Sequence, residues 1–181
     1  MRSVDQARTR QLAPSTTVDP GSGNTMSIPE RTSQGAFFHL GETALISSIE
    51  TRIAQLLQWP VENGEGLQVL HYREGGEYRP HFDYFPVEQA GSAKHLALGG
   101  QRIATLIMYL NEVQEGGATI FPRVNLSLYP RRGSAIYFGY CNKTEGIFPG
   151  PPNRPACKGS ISIGSSKKRR SMPIYLKARN Q

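Results

Sequence analysis

The longest regular pattern in the chain is a helical one, and it lies between Thr43 and Trp59. Apolar residues recur there at the spacing of one helix face, with polar and charged residues between them. The predicted apolar face comprises Leu45, Ile49, Ile53, Leu56 and Leu57. Pro60 follows and cannot continue a helix, because it has no amide hydrogen to donate. The pattern therefore predicts one amphipathic helix that ends before Pro60.

After Gly66 the hydrophobic period becomes two, which is typical of a strand. One predicted strand face carries Leu67, Val69 and His71, and the other carries Gln68, Leu70 and Tyr72. The apolar run 102–110 has the length of a central strand that is buried on both faces. One helix followed by many short strands indicates a mostly β barrel or sandwich with the helix packed outside.

The remaining segments alternate between extended and turn sequences. Residues 11–35 are predicted to form a loop with one short strand at Thr17–Val18, and residues 86–100 a polar loop. Further extended segments are predicted at 77–85, 118–121, 126–129 and 134–140. The 19 glycines and 13 prolines fit strands and turns better than a helical bundle.

The net charge of +7 is unevenly distributed. Residues 1–142 contain 12 Lys/Arg against 13 Asp/Glu, whereas residues 143–181 contain 9 against one. The body of the chain therefore has no basic surface of the kind that binds nucleic acid. There is no apolar run of membrane-spanning length and no signal-peptide pattern in 1–10, so a soluble, cytoplasmic protein is expected. Cys141 and Cys157 do not form a disulfide framework.

The candidate chemistry lies in His81-Phe82-Asp83. In an extended segment residues i and i+2 point to the same side, so an imidazole and a carboxylate would converge on one point. Two such groups are two thirds of the 2-His-1-carboxylate triad that holds non-haem iron. On spacing alone, a surface pair or a satisfied hydrogen bond is the commoner explanation of such a tripeptide.

The surrounding sequence resembles the prolyl 4-hydroxylase family over most of residues 12–142. The motifs that carry the resemblance are RTSQGAFF (31–38), GLQVLHYREGGEYRPHFDYF (66–85) and QRIATLIMYLNEVQEGGATIFPRVNLSLYPRRGSAIYFGY (101–140). The fold that this resemblance implies is a double-stranded β-helix, a cupin-like jelly roll with one or two helices packed outside. It also implies a partial N-terminal element and loop at 1–35, a dioxygenase core at 36–142 and a divergent basic tail at 143–181.

The resemblance assigns roles to six residues. His81 and Asp83 are expected to bind Fe(II), and Tyr72 and Thr105 to contact the cosubstrate 2-oxoglutarate. Tyr78 and Arg79 are expected to face an extended peptide substrate. Without the resemblance, spacing favours Tyr72 as a strand aromatic of the core, Thr105 is explained as a β-branched strand residue, and Tyr78 as an aromatic of the rim.

The activity implied by the resemblance is hydroxylation of a prolyl residue in a peptide or protein, coupled to decarboxylation of 2-oxoglutarate by dioxygen. Ascorbate is the expected reductant for the iron. No nucleic acid or membrane partner is expected. The alternative is a catalytically inactive relic or peptide-binding module of the same fold, which would keep the groove at Tyr78 and Arg79. A nucleic-acid function would rest only on the basic run KKRR (167–170).

The tail departs from the family pattern. The family places its third iron ligand, a histidine, and a lysine for 2-oxoglutarate after the strand at 134–140, but no histidine follows His95 here. The codons of Pro155-Ala156-Cys157, shifted by one nucleotide, can encode the family's Leu-His-Ala, which suggests a frameshift between Asn142 and Pro155.

The consequences predicted for the tail concern both the fold and the site. The final strands are expected to be disrupted, although the alternating Ile161 and Ile163 could form a poor replacement strand. Lys158, Lys167 and Lys168 are the candidates to replace the missing lysine. The iron site and the activity are expected to be impaired.

Overall fold

The computed structural model describes residues 12–140, 161–164 and 173–180. Twelve strands and two α-helices form the fold within these residues. The strands are β1 Ala13–Pro14, β2 Thr17–Val18, β3 Thr25–Met26, β4 Gln34–Phe37, β5 Gln68–His71, β6 Glu77–His81, β7 Gln101–Tyr109, β8 Thr119–Phe121, β9 Leu126–Leu128, β10 Ala135–Gly139, β11 Ile161–Gly164 and β12 Pro173–Asn180. The helices are α1 Ala44–Leu57 and α2 Ser92–Gly99, with short 3-10 turns at Val61–Asn63 and Pro122–Val124.

Two antiparallel sheets face each other. The larger sheet has the order β1-β4-β5-β12-β7-β10 and the smaller one has the order β6-β11-β8-β9, while β2 and β3 form a separate ribbon. The last eight strands pair as β5 with β12, β6 with β11, β7 with β10 and β8 with β9. The chain thus behaves as one long hairpin rolled into two sheets, which is the jelly roll that was predicted.

Helix α1 begins and ends through specific caps. The hydroxyl of Thr43 accepts a hydrogen bond from the Ile46 amide, and Gln58 closes the last turn in the left-handed conformation. The buried face is centred on Ile46 and Ile53, whereas Leu45 and Leu56 are exposed. The predicted helix is confirmed. Its predicted face is rotated, because Ile46 completes a better stripe at 3.6-residue spacing than Leu45 does.

A core cluster joins α1 to the outer face of the larger sheet. Its buried members are Phe38, Ile46, Ile53, Leu67, Val69, Leu106, Leu110 and Leu176. A second cluster fills the space between the sheets and contains Leu70, Tyr72, Ile107, Tyr109, Phe121 and Tyr175. Strands β5 and β7 contribute to both clusters from alternate residues. This confirms the predicted two-faced burial of the run 102–110.

The final strands are intact, and the predicted disruption is wrong. Strand β12 lies at the centre of the larger sheet, between β5 and β7, and its register with β7 runs from Pro173 opposite Tyr109 to Asn180 opposite Gln101. Strand β11 lies between β6 and β8, where the alternating isoleucines were expected to form a strand. The alternation of the tail is sufficient for pairing, because strands on either side supply the hydrogen-bonding partners.

The segment 86–100 also differs from the prediction of a polar loop, since it contains α2. No side chain caps the N-terminus of this helix, so its stability depends on contacts with other parts of the chain. The Gly91 amide donates to the Pro20 carbonyl, and the His95 ring contacts the Gly23 carbonyl and stacks on Phe85. Within the described residues, neither α-helix has the length and apolar content needed to cross a bilayer.

Candidate active site

The buried carboxylate of Asp83 is the centre of the candidate site. Asp83 lies two residues beyond the end of β6 and is 6 % exposed. Its Oδ1 atom lies 2.8 Å from the Lys177 ammonium and 3.6 Å from His81 Nε2. Its Oδ2 atom accepts hydrogen bonds from Thr105 Oγ1 at 3.2 Å and from the Tyr140 hydroxyl at 3.1 Å. Both carboxylate oxygens are therefore engaged.

Burial and charge act on this carboxylate in opposite directions. Desolvation by burial raises the pKa of Asp83, but the positive charge of Lys177 and the hydrogen bond with His81 outweigh it and hold the pKa well below its usual range. Burial and the nearby Arg102 lower the pKa of Lys177, and Asp83 opposes them. Asp83 is consequently an anion at neutral pH.

The imidazole of His81 is oriented by its neighbours. His81 Nδ1 lies 2.8 Å from the backbone carbonyl of Arg79, which requires this nitrogen to carry the proton and donate it. The Nε2 atom faces Asp83 Oδ1, so it is the nitrogen that a metal ion shared with Asp83 would bind. The imidazole ring stacks on the Tyr78 ring with the centroids 3.5 Å apart, and the guanidinium of Arg31 lies over the Tyr78 ring.

Thr105 and Tyr140 approach the site from the larger sheet. Thr105 is fully buried on β7, and its hydroxyl is in close contact with that of Tyr140. Burial, and then the charge of Asp83, raise the pKa of Tyr140 well above its usual value, so the phenol stays protonated and donates to the carboxylate. Thr105 thus contacts the Asp83 carboxylate directly, and its expected contact with 2-oxoglutarate stays a prediction.

Tyr72 lies deeper than its predicted role suggested. It has no exposed surface, and its hydroxyl makes no hydrogen bond of normal geometry within the described part of the chain, although the Ser33 and Tyr175 hydroxyls lie near it. Desolvation by burial raises the pKa of Tyr72 to about 12, against a smaller lowering by these two hydroxyls. Tyr175, on β12, is also buried with an unpartnered hydroxyl, and it lines the cavity beside the site. Two phenolic groups therefore point into the space between the sheets.

The two predicted substrate residues are placed differently. Tyr78 lines the cavity and packs against His81. Arg79 is exposed, pairs with Glu77 at 3.3 Å and is not among the residues that line the cavity. Of the two residues expected to face the substrate, only Tyr78 therefore contributes to the cavity wall.

A cavity of about 430 Å³ opens beside Asp83. Its wall includes Arg31, Tyr78, Phe85, Arg102, Tyr175 and Lys177. Arg102 binds Glu65 through two hydrogen bonds of 2.6 and 2.9 Å and also donates to the backbone carbonyl of Asp83 at 3.1 Å. Arg179 donates to the same Glu65 at 2.7 Å. The cavity is therefore bordered by more cations than carboxylates.

Sequence reasoning missed Lys177, Tyr140 and Arg102 as site residues. Lys177 lies on β12 opposite Thr105, so its side chain is on the face of the larger sheet that is turned towards Asp83. The signal was the alternation of Tyr175, Lys177 and Arg179, which places all three on one strand face. Lys158, Lys167 and Lys168, which were considered instead, lie outside the described residues, as does the suggested frameshift segment.

The described residues offer two candidate ligands for a metal ion, His81 and Asp83. The His81 nitrogen and the Asp83 carboxylate have the chemistry and the proximity that Fe(II) requires. No group of three or more His, Cys, Asp and Glu side chains occurs among the described residues. The residue opposite His81 on β11 is Ile161, which has no metal-binding atom. The ammonium of Lys177, moreover, contacts the carboxylate oxygen that faces His81.

Comparison with known proteins identifies the class. Residues 67–148 match the model of the 2OG-Fe(II) oxygenase superfamily. The chain is 40 % identical over 146 residues to Probable prolyl 4-hydroxylase 3 of Arabidopsis thaliana, covering 70 % of this chain and 49 % of that protein. It is 36 % identical over 138 residues to Prolyl 4-hydroxylase subunit alpha-1 of Gallus gallus, covering 76 % and 27 %. The chain belongs to the prolyl 4-hydroxylase family of this superfamily. It spans about half the length, or less, of these curated relatives.

Solved structures share the fold at lower identity. The viral collagen prolyl hydroxylase of Paramecium bursaria Chlorella virus-1, solved as a 2OG complex, aligns with a TM-score of 0.66 at 23 % identity, over 98 % of this chain and 88 % of that one. A prolyl-4-hydroxylase of Pseudomonas putida aligns with a TM-score of 0.63 at 15 % identity, over 99 % and 84 %. These likenesses confirm the predicted jelly-roll fold.

Proposed function

We propose that this chain is an iron(II)- and 2-oxoglutarate-dependent dioxygenase domain that hydroxylates a prolyl residue of a peptide or protein. Its activity is weakened in this proposal because the described residues supply two of the three ligands of the 2-His-1-carboxylate triad. The observation that carries the proposal is the convergence of His81 Nε2 and Asp83 Oδ1, 3.6 Å apart, beside a cavity of about 430 Å³. Membership of the prolyl 4-hydroxylase family supports it.

Each site residue has a role in this proposal. His81 and Asp83 would hold the iron, which together with 2-oxoglutarate and dioxygen supplies the oxidising power. Thr105 and Tyr140 orient the Asp83 carboxylate by donating to the oxygen turned away from His81. Tyr72 and Tyr175 offer phenolic hydroxyls that lack protein partners in the described chain, to which a carboxylate of the cosubstrate could bind.

The substrate and the reductant belong to the same proposal. Tyr78, on the cavity wall, presents the aromatic surface against which an extended proline-containing peptide would pack. Ascorbate is proposed to keep the iron reduced. A cytoplasmic location and the lack of a nucleic-acid partner stay predictions of the sequence.

Cosubstrate turnover tests the proposal. The chain, supplied with Fe(II), ascorbate, 2-oxoglutarate and a proline-rich peptide, is expected to release succinate and to form hydroxyproline, both measured by mass spectrometry. The matched control is His81→Ala, which removes a ligand and should fall to the level of an iron-free reaction. Equal succinate release by the two proteins would overturn the proposal.

The contact between Lys177 and Asp83 favours a second candidate, a module that binds a prolyl peptide without turning it over. An ammonium already neutralises the carboxylate in this arrangement, at 2.8 Å. This function predicts peptide binding by fluorescence anisotropy that is lost in Tyr78→Ala and unchanged by addition or removal of iron. Hydroxyproline formed only by the chain with an intact His81 would rule out this candidate.

A further inference from the structure

Lys177 occupies an unusual position for a lysine. It lies on the central strand β12, opposite Thr105, with its side chain 17 % exposed and directed at a carboxylate that is 6 % exposed. A lysine is rarely buried to this extent without a partner. Here the partner is Asp83 Oδ1, and the contact of 2.8 Å has the length of a charge-assisted hydrogen bond.

The oxygen that Lys177 contacts is the one that a metal ion would need. Oδ2 of Asp83 is already bound by the hydroxyls of Thr105 and Tyr140, whereas Oδ1 faces His81 Nε2. A divalent cation shared by His81 and Asp83 would therefore be close to the Lys177 ammonium. The Lys177 ammonium and a divalent cation, both in contact with Asp83 Oδ1 in a largely buried site, would repel each other strongly.

The surroundings of Asp83 add a further cation, because Arg102 donates to the Asp83 backbone carbonyl at 3.1 Å. The carboxylate of Glu65 attracts Lys177, but it already binds both Arg102 and Arg179. The residue paired with His81 on β11 is Ile161, which supplies no third ligand.

We propose that the ammonium of Lys177 takes the place of the metal ion at Asp83, so that Lys177 and a divalent cation compete for one carboxylate oxygen. In the metal-free protein Lys177 then neutralises the Asp83 carboxylate, and binding of a divalent cation requires Lys177 to move away. This inference rests on the proposed function only for the identity of the metal as iron. It concerns binding and not turnover.

Titration with Mn(II), followed by the electron paramagnetic resonance signal of the free ion, tests the competition on the full chain without 2-oxoglutarate. Lys177→Met keeps the length of the side chain and removes the charge, and it is expected to bind Mn(II) at least about tenfold more tightly than the natural chain. Lys177→Arg keeps a positive charge and should bind as weakly as the natural chain. Lys177→Met combined with His81→Ala should lose the gain.

Because Lys177→Met leaves a buried carboxylate without its cation and could fail to fold, Lys177→Gln, which can still donate a hydrogen bond, is titrated in parallel. The reactivity of Lys177 towards an acylating reagent is then followed by mass spectrometry in the natural chain. Saturating Mn(II) is expected to increase the acylation of Lys177 relative to the exposed Lys94.

Equal Mn(II) affinity of the natural chain and both uncharged variants would overturn the inference, as would a gain that survives His81→Ala or acylation that Mn(II) leaves unchanged. These outcomes are separate from those of the proposed function. A chain that releases no succinate but binds Mn(II) more tightly without Lys177 would refute the enzyme and support the competition.

Discussion

At the scale of single residues, the two unpartnered tyrosine hydroxyls are the most informative feature of the interior. A buried hydroxyl that lacks a hydrogen bond has lost its water without replacement, which costs about 1–3 kcal/mol. Tyr72 and Tyr175 both carry that cost between the sheets. By contrast, the Tyr109 hydroxyl in the same cluster is paired with Thr119 at 2.6 Å. This difference distinguishes the Tyr72 and Tyr175 hydroxyls from that of Tyr109 and supports the proposed cosubstrate site.

Replacement of Tyr72 by phenylalanine is therefore expected to increase the free energy of unfolding by about 1 kcal/mol, because it removes a buried polar atom that has no partner. The matched control, Tyr109→Phe, should decrease it by a similar amount. Urea unfolding followed by circular dichroism measures both. A loss of stability in Tyr72→Phe as large as that in Tyr109→Phe would contradict the prediction and indicate a hidden partner.

At the scale of secondary-structure elements, Glu65 connects two strands of the larger sheet. Its carboxylate accepts from Arg102 on β7 and from Arg179 on β12, and its amide donates to the Lys177 carbonyl at 2.7 Å. Burial raises the pKa of Glu65, but the hydrogen bond and charge of Arg102 outweigh it and lower the pKa below its usual value. The ionised form is therefore favoured in the folded protein.

A lowered pKa fixes the direction of the pH dependence. The stabilisation by Glu65 is complete above its unfolded pKa of about 4.3 and is lost as the pH falls through the lower folded value. Glu65→Gln should consequently be less stable than the natural chain by about 2 kcal/mol at pH 7. The difference should shrink below about pH 4. Thermal unfolding across pH measures it, with Glu88→Gln at an exposed position as the control.

Elements with a strong local pattern could be predicted, and elements that depend on distant partners could not. The helix at Ala44–Leu57 follows from its periodicity, and the strand at Gln101–Tyr109 from the length of its apolar run. The two-residue spacing of His81 and Asp83 predicts that they lie close together, as they do at the end of β6, but their role as a metal site was predicted from the family resemblance. Lys177 was missed because its place depends on β12 pairing with β7, and the basic composition of the tail obscured that alternation.

At the scale of the whole molecule, β12 closes the larger sheet. It pairs with β5 on one side and β7 on the other, and it contributes Leu176 to the outer cluster and Tyr175 to the inner one. Among the described strands, β5, β7 and β12 contribute to both clusters, and β12 is the last of them in the sequence. The two sheets and the site therefore depend on a strand of the basic tail, the segment whose charge differs from that of the rest of the chain.

A chain that ends after Met172 is expected to lose cooperative unfolding, because β5 and β7 would be left with unpaired backbone groups in the interior. Urea unfolding and far-ultraviolet circular dichroism measure the effect. A chain that ends after Asn180 is the control and should unfold as the full chain does. A cooperative transition of unchanged steepness in the shorter chain would show that β12 is dispensable.

The pairing of β5 with β12 also determines when the domain can fold during synthesis. Val69 and Ile174 are neighbours in the sheet, although most of the chain is translated between them. Such high contact order slows folding, because a long loop must close before β5 and β12 can pair. While the ribosome adds the intervening residues, the strands at 68–71 and 101–109 can pair with β4 and β10 but still lack β12 between them. Molecular chaperones that shield extended apolar segments would act on the domain at this stage.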